Sequence, residues 1–284
     1  MLACALFWGF SFISIKISLD VFPPMSLGLL RFAIALGFLY FFKRKLAPNE
    51  KISIRDIPLL LGAGASGVTL YFFFENNGVK LVSASEASIA TGAIPVLTML
   101  ADFFSRKIAG KGKSSFQKLK MRQWIGAFIS IAGVWLVAGV SFAVSGSIKG
   151  YFFMTGATVC WVAYGLLTRP LFARHSRIYI VFWQTLAGLI GFIPFSISEF
   201  SQWGRPNLPL ILHLVFLGVC CSALGFWFYV RSIEVLGISV SAIFINLIPL
   251  ITVFFGFIVL GEMLTPLQWL GALFVIGGVS LSSV

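Results

Sequence analysis

Apolar residues run along this chain in unbroken stretches of about twenty, separated by short breaks rich in glycine, proline or clustered charge. Runs and breakers together predict ten helical spans, at about residues 2–19, 24–42, 57–78, 84–104, 123–141, 150–168, 178–198, 208–230, 237–260 and 266–283. That is the length a helix needs to cross a bilayer, roughly 20 mostly apolar residues. A transmembrane barrel would alternate over segments of about 10 residues instead. Local start signals sharpen several boundaries. Ser83 followed by Glu86 predicts a capping box at the start of the fourth span. Thr265-Pro266-Leu267-Gln268 gives the tenth a cap, a proline at the first helical position and a glutamine at the third. Pro23-Pro24 and the stretch from Pro206 to Pro209 mark turns before the second and eighth spans.

Composition agrees with the pattern. Of 284 residues, 59% are hydrophobic and only 11% charged, whereas soluble domains carry about 25% charged residues. The mean hydropathy is +0.99. Too few polar residues remain to cover a water-facing surface, which excludes a cytosolic enzyme and a disordered chain. The fold class expected is an all-α polytopic membrane protein of ten transmembrane helices. Cys4, Cys160, Cys220 and Cys221 all lie inside apolar runs, as small packing residues do, with no disulfide or zinc spacing. No cleavable signal peptide is visible. Met1 opens almost directly onto an apolar run, and the natural chain is expected to carry a few more residues before it.

Charge adds orientation. The formal net charge is +12, and the basic residues are not evenly shared. With alternating spans, sixteen Lys and Arg fall on the side of the N-terminus and four on the other, with Arg31 inside the second span. Cytoplasmic loops are the basic ones, so both termini are expected in the cytoplasm, with a bacterial inner (plasma) membrane as the location. The segment from Ser105 to Arg122 holds seven basic residues and no acid. A plain solvated loop is the favoured reading, with membrane lipid as the partner its charge can touch; a short loop tethered at a membrane is a poor nucleic-acid reader, so no nucleic acid is expected.

The chain also matches itself. Gln123-Trp124-Ile125-Gly126-Ala127 answers Gln268-Trp269-Leu270-Gly271-Ala272, and extending to Leu136 and Leu281 gives eight identities in fourteen positions. Trp8 pairs with Trp161, Lys16 with Arg169 and Pro95 with Pro249. The reading is a duplication, with a first five-helix repeat over 1–141 and a second over 147–284. Because five is odd, the second copy enters the membrane from the opposite side. Inverted repeats are a transporter architecture, with the substrate near the midplane and alternating access between the halves.

Several motifs fail on context. Gly62-Ala63-Gly64-Ala65-Ser66-Gly67 spells a dinucleotide fingerprint but sits inside an apolar helical run, where small residues serve close helix packing. Gly112-Lys113-Ser114 ends like a phosphate-binding loop, yet Lys107 occupies the position of its first glycine. His175 and His213 lack metal-ligand spacing, and no nucleophile–base pair or paired acids stand out. No metal and no cofactor are expected.

Phe7-Trp8-Gly9, Leu30-Arg31-Phe32, Ser83-Ala84-Ser85 ahead of Pro95, Ile248-Pro249, Leu260-Gly261-Glu262 and the Gly271–Gly278 stretch occur in this order along the chain. Together they resemble the drug/metabolite transporter superfamily, EamA type. The resemblance implies a ten-helix, two-repeat carrier of small metabolites, often an exporter of amino acids or related compounds, with a central cavity lined mainly by spans 1, 3, 4, 6, 8 and 9. One departure stands out: Arg106-Lys107-Ile108 holds the place that Leu260-Gly261-Glu262 has in the second half.

Candidate substrate-binding residues follow. Trp8 and Trp161 are repeat-related and near mid-span, suited to walling a central cavity or to helix packing; Ser11 and Tyr164 share the same offset and add polar reach. Glu75 follows four aromatics, Tyr71 to Phe74. It either reaches the membrane edge or faces the cavity, where it would bind an amine or carry a proton as coupling ion. Asn246, near Pro249, is a candidate wall residue or a helix-to-helix contact. Pro95 and Pro249 are the candidate gating or hinge residues, since each frees a backbone carbonyl mid-span. Glu86 is assigned to capping, and Asp102 to pairing with Arg106. Arg31, roughly 10 Å deep at about 1.5 Å per residue, is assigned to structural pairing ahead of binding a substrate carboxylate. The function expected is a secondary transporter, an exporter of small metabolites. The alternatives are a membrane-embedded enzyme, which would need convergent acids or histidines, and a non-transporting scaffold or receptor, which has no need of an inverted repeat.

Overall fold

A long apolar segment in lipid must satisfy its own backbone N–H and C=O groups, and the helix does so within the segment. The computed structural model describes residues 1–51, 53–108, 121–122, 124–126, 128–129, 131–133, 135–136 and 147–283. Among them the chain is helical, with no strand. We number the main helices α1 (Leu2–Ser18), α2 (Pro24–Leu46), α3 (Ile54–Leu81), α4 (Ala84–Ser105), α5 (Trp124–Gly133), α6 (Ile148–Ala173), α7 (Arg177–Gln202), α8 (Leu208–Leu236), α9 (Leu247–Leu260) and α10 (Pro266–Ser283). Six of these, α2, α3, α4, α6, α7 and α8, are long and apolar enough to cross a membrane. Their outward faces are apolar: Phe152, Ile197 and Leu208 are each at least 70% exposed, which suits lipid and not water. Most of the basic segment after α4, and the side chains of Asp102 and Arg106, lie outside the described residues.

Several helices depart from regular α geometry within their length. In α4 the pieces Ala84–Thr91 and Ile94–Ile108 are separated by a turn just ahead of Pro95. A short helix, Ile238–Ile243, and a 3₁₀ turn, Phe244–Asn246, lead into α9 just ahead of Pro249. Proline has no N–H and its ring clashes with the carbonyl four residues back, which accounts for both positions. A π turn widens α3 at Ala65–Leu70 and α8 at Leu217–Leu224, and α9 ends in another at Gly256–Leu260.

Helix ends are held by side chains from distant parts of the chain. At one end of the bundle Lys16 donates to the carbonyls of Val79 and Val82 at 2.8 and 2.7 Å, closing the C-terminus of α3. Glu262 accepts from the N–H groups of Ala84 and Ser85 at 2.8 and 2.9 Å, capping α4. Gly261 makes that reach possible: at φ +66° it takes the left-handed turn that only glycine adopts freely. The Ser83/Glu86 capping box forms, as does the Thr265/Gln268 box, and Gln268 also donates to Glu86 at 2.8 Å. At the opposite end, Asp56 is flanked by Arg174 and His175, and Arg177 pairs with Glu234. The four cysteines are free thiols.

Candidate functional site

The helices converge on a small central cavity of about 30 Å³. Trp8 and Ser11, three residues apart and so on one face of α1, line it; the Ser11 hydroxyl is turned back onto the Trp8 carbonyl at 2.7 Å. Trp161 of α6 meets Trp8 edge-on, ring centroids 5.2 Å apart, and Phe226 of α8 lies against both. Both tryptophans line the cavity and touch one another, a contact the sequence reading did not anticipate.

The π turn of α8 fixes Trp8. There the N–H of Gly225 reaches the carbonyl of Cys220, five residues back, and the Cys221 carbonyl accepts the indole N–H of Trp8 at 3.0 Å. Gly225 must be glycine for this approach, since a Cβ would stand 2.6 Å from the indole nitrogen.

Two charged side chains share the cavity wall. Arg31 of α2 is 1% exposed and Glu75 of α3 is 3% exposed. Arg31 donates through Nε to the Ser222 hydroxyl at 2.9 Å, and its guanidinium carbon lies 4.3 Å from the centroid of Phe72. The Glu75 carboxylate accepts from the Tyr71 hydroxyl at 2.7 Å. Glu75 is thus buried and lines the cavity. Arg31 has the structural partner expected of it, in Ser222 and the Phe72 ring, and among the described residues no acid lies within ion-pair distance of it.

The rest of the wall comes from the two interrupted elements. Thr91 and Ile94 flank the break in α4; Ile245 lies in the 3₁₀ turn and Ile248 at the start of α9. Pro95 and Pro249 are buried beside these segments but do not line the cavity. Tyr164 is also set back: it packs on Gly67 and stacks on Tyr229, behind Trp161. The side chain of Asn246 lies outside the described residues. No group of His, Cys, Asp and Glu among the described residues is placed to hold a metal. Among the wall residues that sequence reasoning missed are Tyr71, Phe72, Thr91 and Phe226; Tyr71, four residues before Glu75 and so one helical turn away, had a readable signal.

Comparison with known proteins gives consistent matches. The model of the EamA-like transporter family matches residues 1–139 and again 148–284. An uncharacterized transporter of Archaeoglobus fulgidus is 27% identical, over 91% of this chain and 88% of that protein. A probable terminal-alkyne amino-acid exporter of Streptantibioticus cattleyicolor is 24% identical, over 96% and 89%. The uncharacterized inner membrane transporter YhbE of Escherichia coli is 25% identical, over 100% and 89%. A solved crystal structure with 20% identity superposes over 99% of this chain and 94% of its own, with a TM-score of 0.71, and shares the fold.

Proposed function

The chain belongs to the EamA-like transporter family, and on that premise we propose that it is a secondary exporter of small metabolites, amino acids or related compounds, working by alternating access between two inverted five-helix repeats, 1–141 and 147–284. The observation that carries the reading is the cavity itself, walled by Trp8 and Trp161 from opposite halves and holding Arg31 and Glu75. Its volume of about 30 Å³ suits water and not an amino acid, since ligand pockets run to about 300–1,000 Å³. Loading therefore requires the wall to open. The interrupted segments beside Pro95 and Pro249 supply the hinge, because a broken helix bends at lower cost than a continuous one.

Ten spans with both termini cytoplasmic complete the proposal, supported by the division of basic residues and by the π turns in α3 and α8, the third helix of each half. Trp8, Ser11 and Trp161 form the substrate wall with Glu75, Tyr164 stands behind Trp161, and Asn246 is a further substrate-binding residue of this reading. Glu75 is the group through which protons couple. Anionic lipid headgroups meet the basic segment after α4. Family membership points away from an enzyme. Mass-spectrometric comparison of metabolites released by cells with and without the protein tests the reading; identical release profiles overturn it.

A further inference from the structure

A second cavity lies on the flank of the bundle, between the C-terminal parts of α2 and α8. Phe38, Leu39 and Phe42 face Ala223 and Trp227 across it, with Ile178 of α7 alongside. Leu39, Ile178 and Ala223 are buried and form its floor; Phe38, Phe42 and Trp227 are half-buried and form its walls. No charged, hydroxyl or amide side chain among the described residues lines it. Its volume is about 30 Å³, against roughly 300–1,000 Å³ for a pocket that encloses a ligand, so it seats a stretch of one chain and not a compact molecule. Leu46, on the same wall, is 60% exposed, so the groove opens sideways from two helices long and apolar enough to cross a membrane.

One end of this groove is basic. Lys45 follows Phe42 by three residues and Phe38 by seven, so it continues the groove face of α2; Arg231 follows Trp227 by four and does the same on α8. Both are exposed, and among the described residues no acid lies within ion-pair distance of either. The neighbouring acids are already engaged: Glu234 by Arg177, Asp56 by Arg174 and His175, and Glu50 by His175 and Ser176. Lys43 is turned towards α7, 5.4 to 6.0 Å from the rings of Phe182, Trp183 and Tyr179. Arg44, two residues from Phe42 and from Leu46, lies on the far side of α2. Lys45 rests over the exposed Phe41 ring at 4.5 Å, a weak contact at such a site that a phosphate can replace.

An apolar groove that leads to two unpaired cations matches a lipid with a negative headgroup. A zwitterionic lipid fills the groove but gains little from the cations; a soluble phosphate meets the cations and leaves the groove empty. We infer that the groove is a binding site for one anionic phospholipid, with its phosphate between Lys45 and Arg231 and one acyl chain along Phe42, Ala223 and Trp227. The half-buried Trp227 stands one turn before Arg231, where an indole bridges the apolar and headgroup regions. The site needs neither the central cavity nor the basic segment after α4. Its floor nevertheless bears on the cavity, because Ala223 belongs to the π turn whose Cys221 carbonyl holds Trp8.

The test titrates the full chain in detergent with dioleoyl phosphatidylglycerol, dioleoyl phosphatidylcholine or glycerol 3-phosphate, and counts bound molecules by native mass spectrometry. A basic residue beside an anionic headgroup is worth about fivefold in affinity, so phosphatidylglycerol is expected to bind roughly 25-fold tighter than phosphatidylcholine. Glycerol 3-phosphate, which has no chain for the groove, is expected not to be retained. Lys45→Gln and Arg231→Gln should each weaken phosphatidylglycerol by about fivefold, and together by roughly 25-fold, with phosphatidylcholine unchanged. Both positions are exposed, and size-exclusion chromatography checks that each variant is folded. Arg44→Gln removes the same charge from the far side of α2 and is expected to change nothing. Trp227→Ala, which opens the groove wall, should weaken both lipids. A preference for phosphatidylglycerol that survives the double variant belongs to another basic surface and overturns the site. A loss in Arg44→Gln equal to that in Lys45→Gln overturns it as well, by making the effect one of general charge. Glycerol 3-phosphate held as tightly as phosphatidylglycerol overturns the lipid in favour of a soluble phosphate.

Discussion

Glu199 and Ser26, 173 residues apart, are joined at the junction of α7 and α2: the Glu199 carboxylate accepts the Ser26 N–H at 2.7 Å and its hydroxyl at 2.9 Å. Glu50 and Ser176 repeat the contact at the other end of the same helix pair, at 2.9 and 2.5 Å. Glu50 lies just beyond the end of α2 and Glu199 in the last turn of α7, and each caps the start of the other helix. A carboxylate at a helix N-terminus fills orphan N–H donors and meets the positive end of the helix dipole. The antiparallel α2–α7 pair is therefore pinned at both ends.

Removing either cap should cost stability without touching the cavity. Glu199→Gln and Glu50→Gln are each expected to destabilise the protein by about 1 kcal/mol, the usual worth of a cap. The two sites lie at opposite ends of the bundle, so the effects should add to within about 0.5 kcal/mol. Thermal unfolding in detergent, followed by size-exclusion chromatography, measures both. Strong non-additivity would mean that the two ends are coupled through the pair.

How much of this was legible in the sequence depends on the range of each interaction. The apolar runs and the Ser83/Glu86 and Thr265/Gln268 boxes are local, and they form as read. The Trp8–Trp161 contact was reachable through the internal repeat, which carries long-range information. The partners of Arg31 and Glu262 were not legible: Ser222 lies 191 residues from Arg31, and nothing nearby marks either as a member of a pair. Arg31 and Glu199 look like an intramembrane charge and a helix-end acid until the bundle assembles. The π turns were also hidden. Their sequences, Ala65–Leu70 and Leu217–Leu224, read as ordinary small and apolar helix, and the wide turn is set by what packs against it.

The tryptophan pair gives a prediction on the pathway. Trp8→Ala and Trp161→Ala are each expected to reduce transport while membrane expression stays near normal, because both rings face the cavity. Trp8→Phe keeps the ring and loses the bond to the Cys221 carbonyl, so it should fall between wild type and Trp8→Ala. Immunoblots of the membrane fraction alongside transport assays check this. Loss of expression in both alanine variants would assign the pair to packing.

Topology is open to a direct measurement. Reporter fusions at Lys113 and at Ser145 are expected to report opposite sides of the membrane, with Lys113 cytoplasmic. The two positions bracket the fifth predicted span, so agreement between the reporters would remove that span and the inverted repeat with it.

The prolines separate stability from motion. Pro95→Ala and Pro249→Ala restore a backbone N–H and relieve a ring clash that in a helix interior is worth about 3 kcal/mol. Both variants are expected to melt at higher temperature and transport more slowly, since a continuous helix resists bending. Turnover in proteoliposomes against the melting temperature in detergent makes the comparison. Unchanged turnover in both would leave the breaks in α4 and ahead of α9 as packing features.

Glu75 carries the prediction on energy coupling. The ionisable groups around it are Tyr71 on its own helix, Arg31 on α2 and Cys221 on α8. Only the carboxylate among these is suited to gain and lose a proton in each cycle, because arginine stays protonated in proteins and a buried phenol or thiol gives up its proton at high cost. Glu75→Gln keeps the shape and still accepts the Tyr71 hydroxyl bond, but it cannot exchange a proton. Transport by Glu75→Gln is expected to lose its acceleration by an imposed pH gradient, whereas Tyr71→Phe, which removes the hydroxyl and keeps the carboxylate, retains it. The measurement is release from proteoliposomes with and without the gradient. A gradient response that survives in Glu75→Gln would assign coupling to another group and leave Glu75 with substrate binding alone.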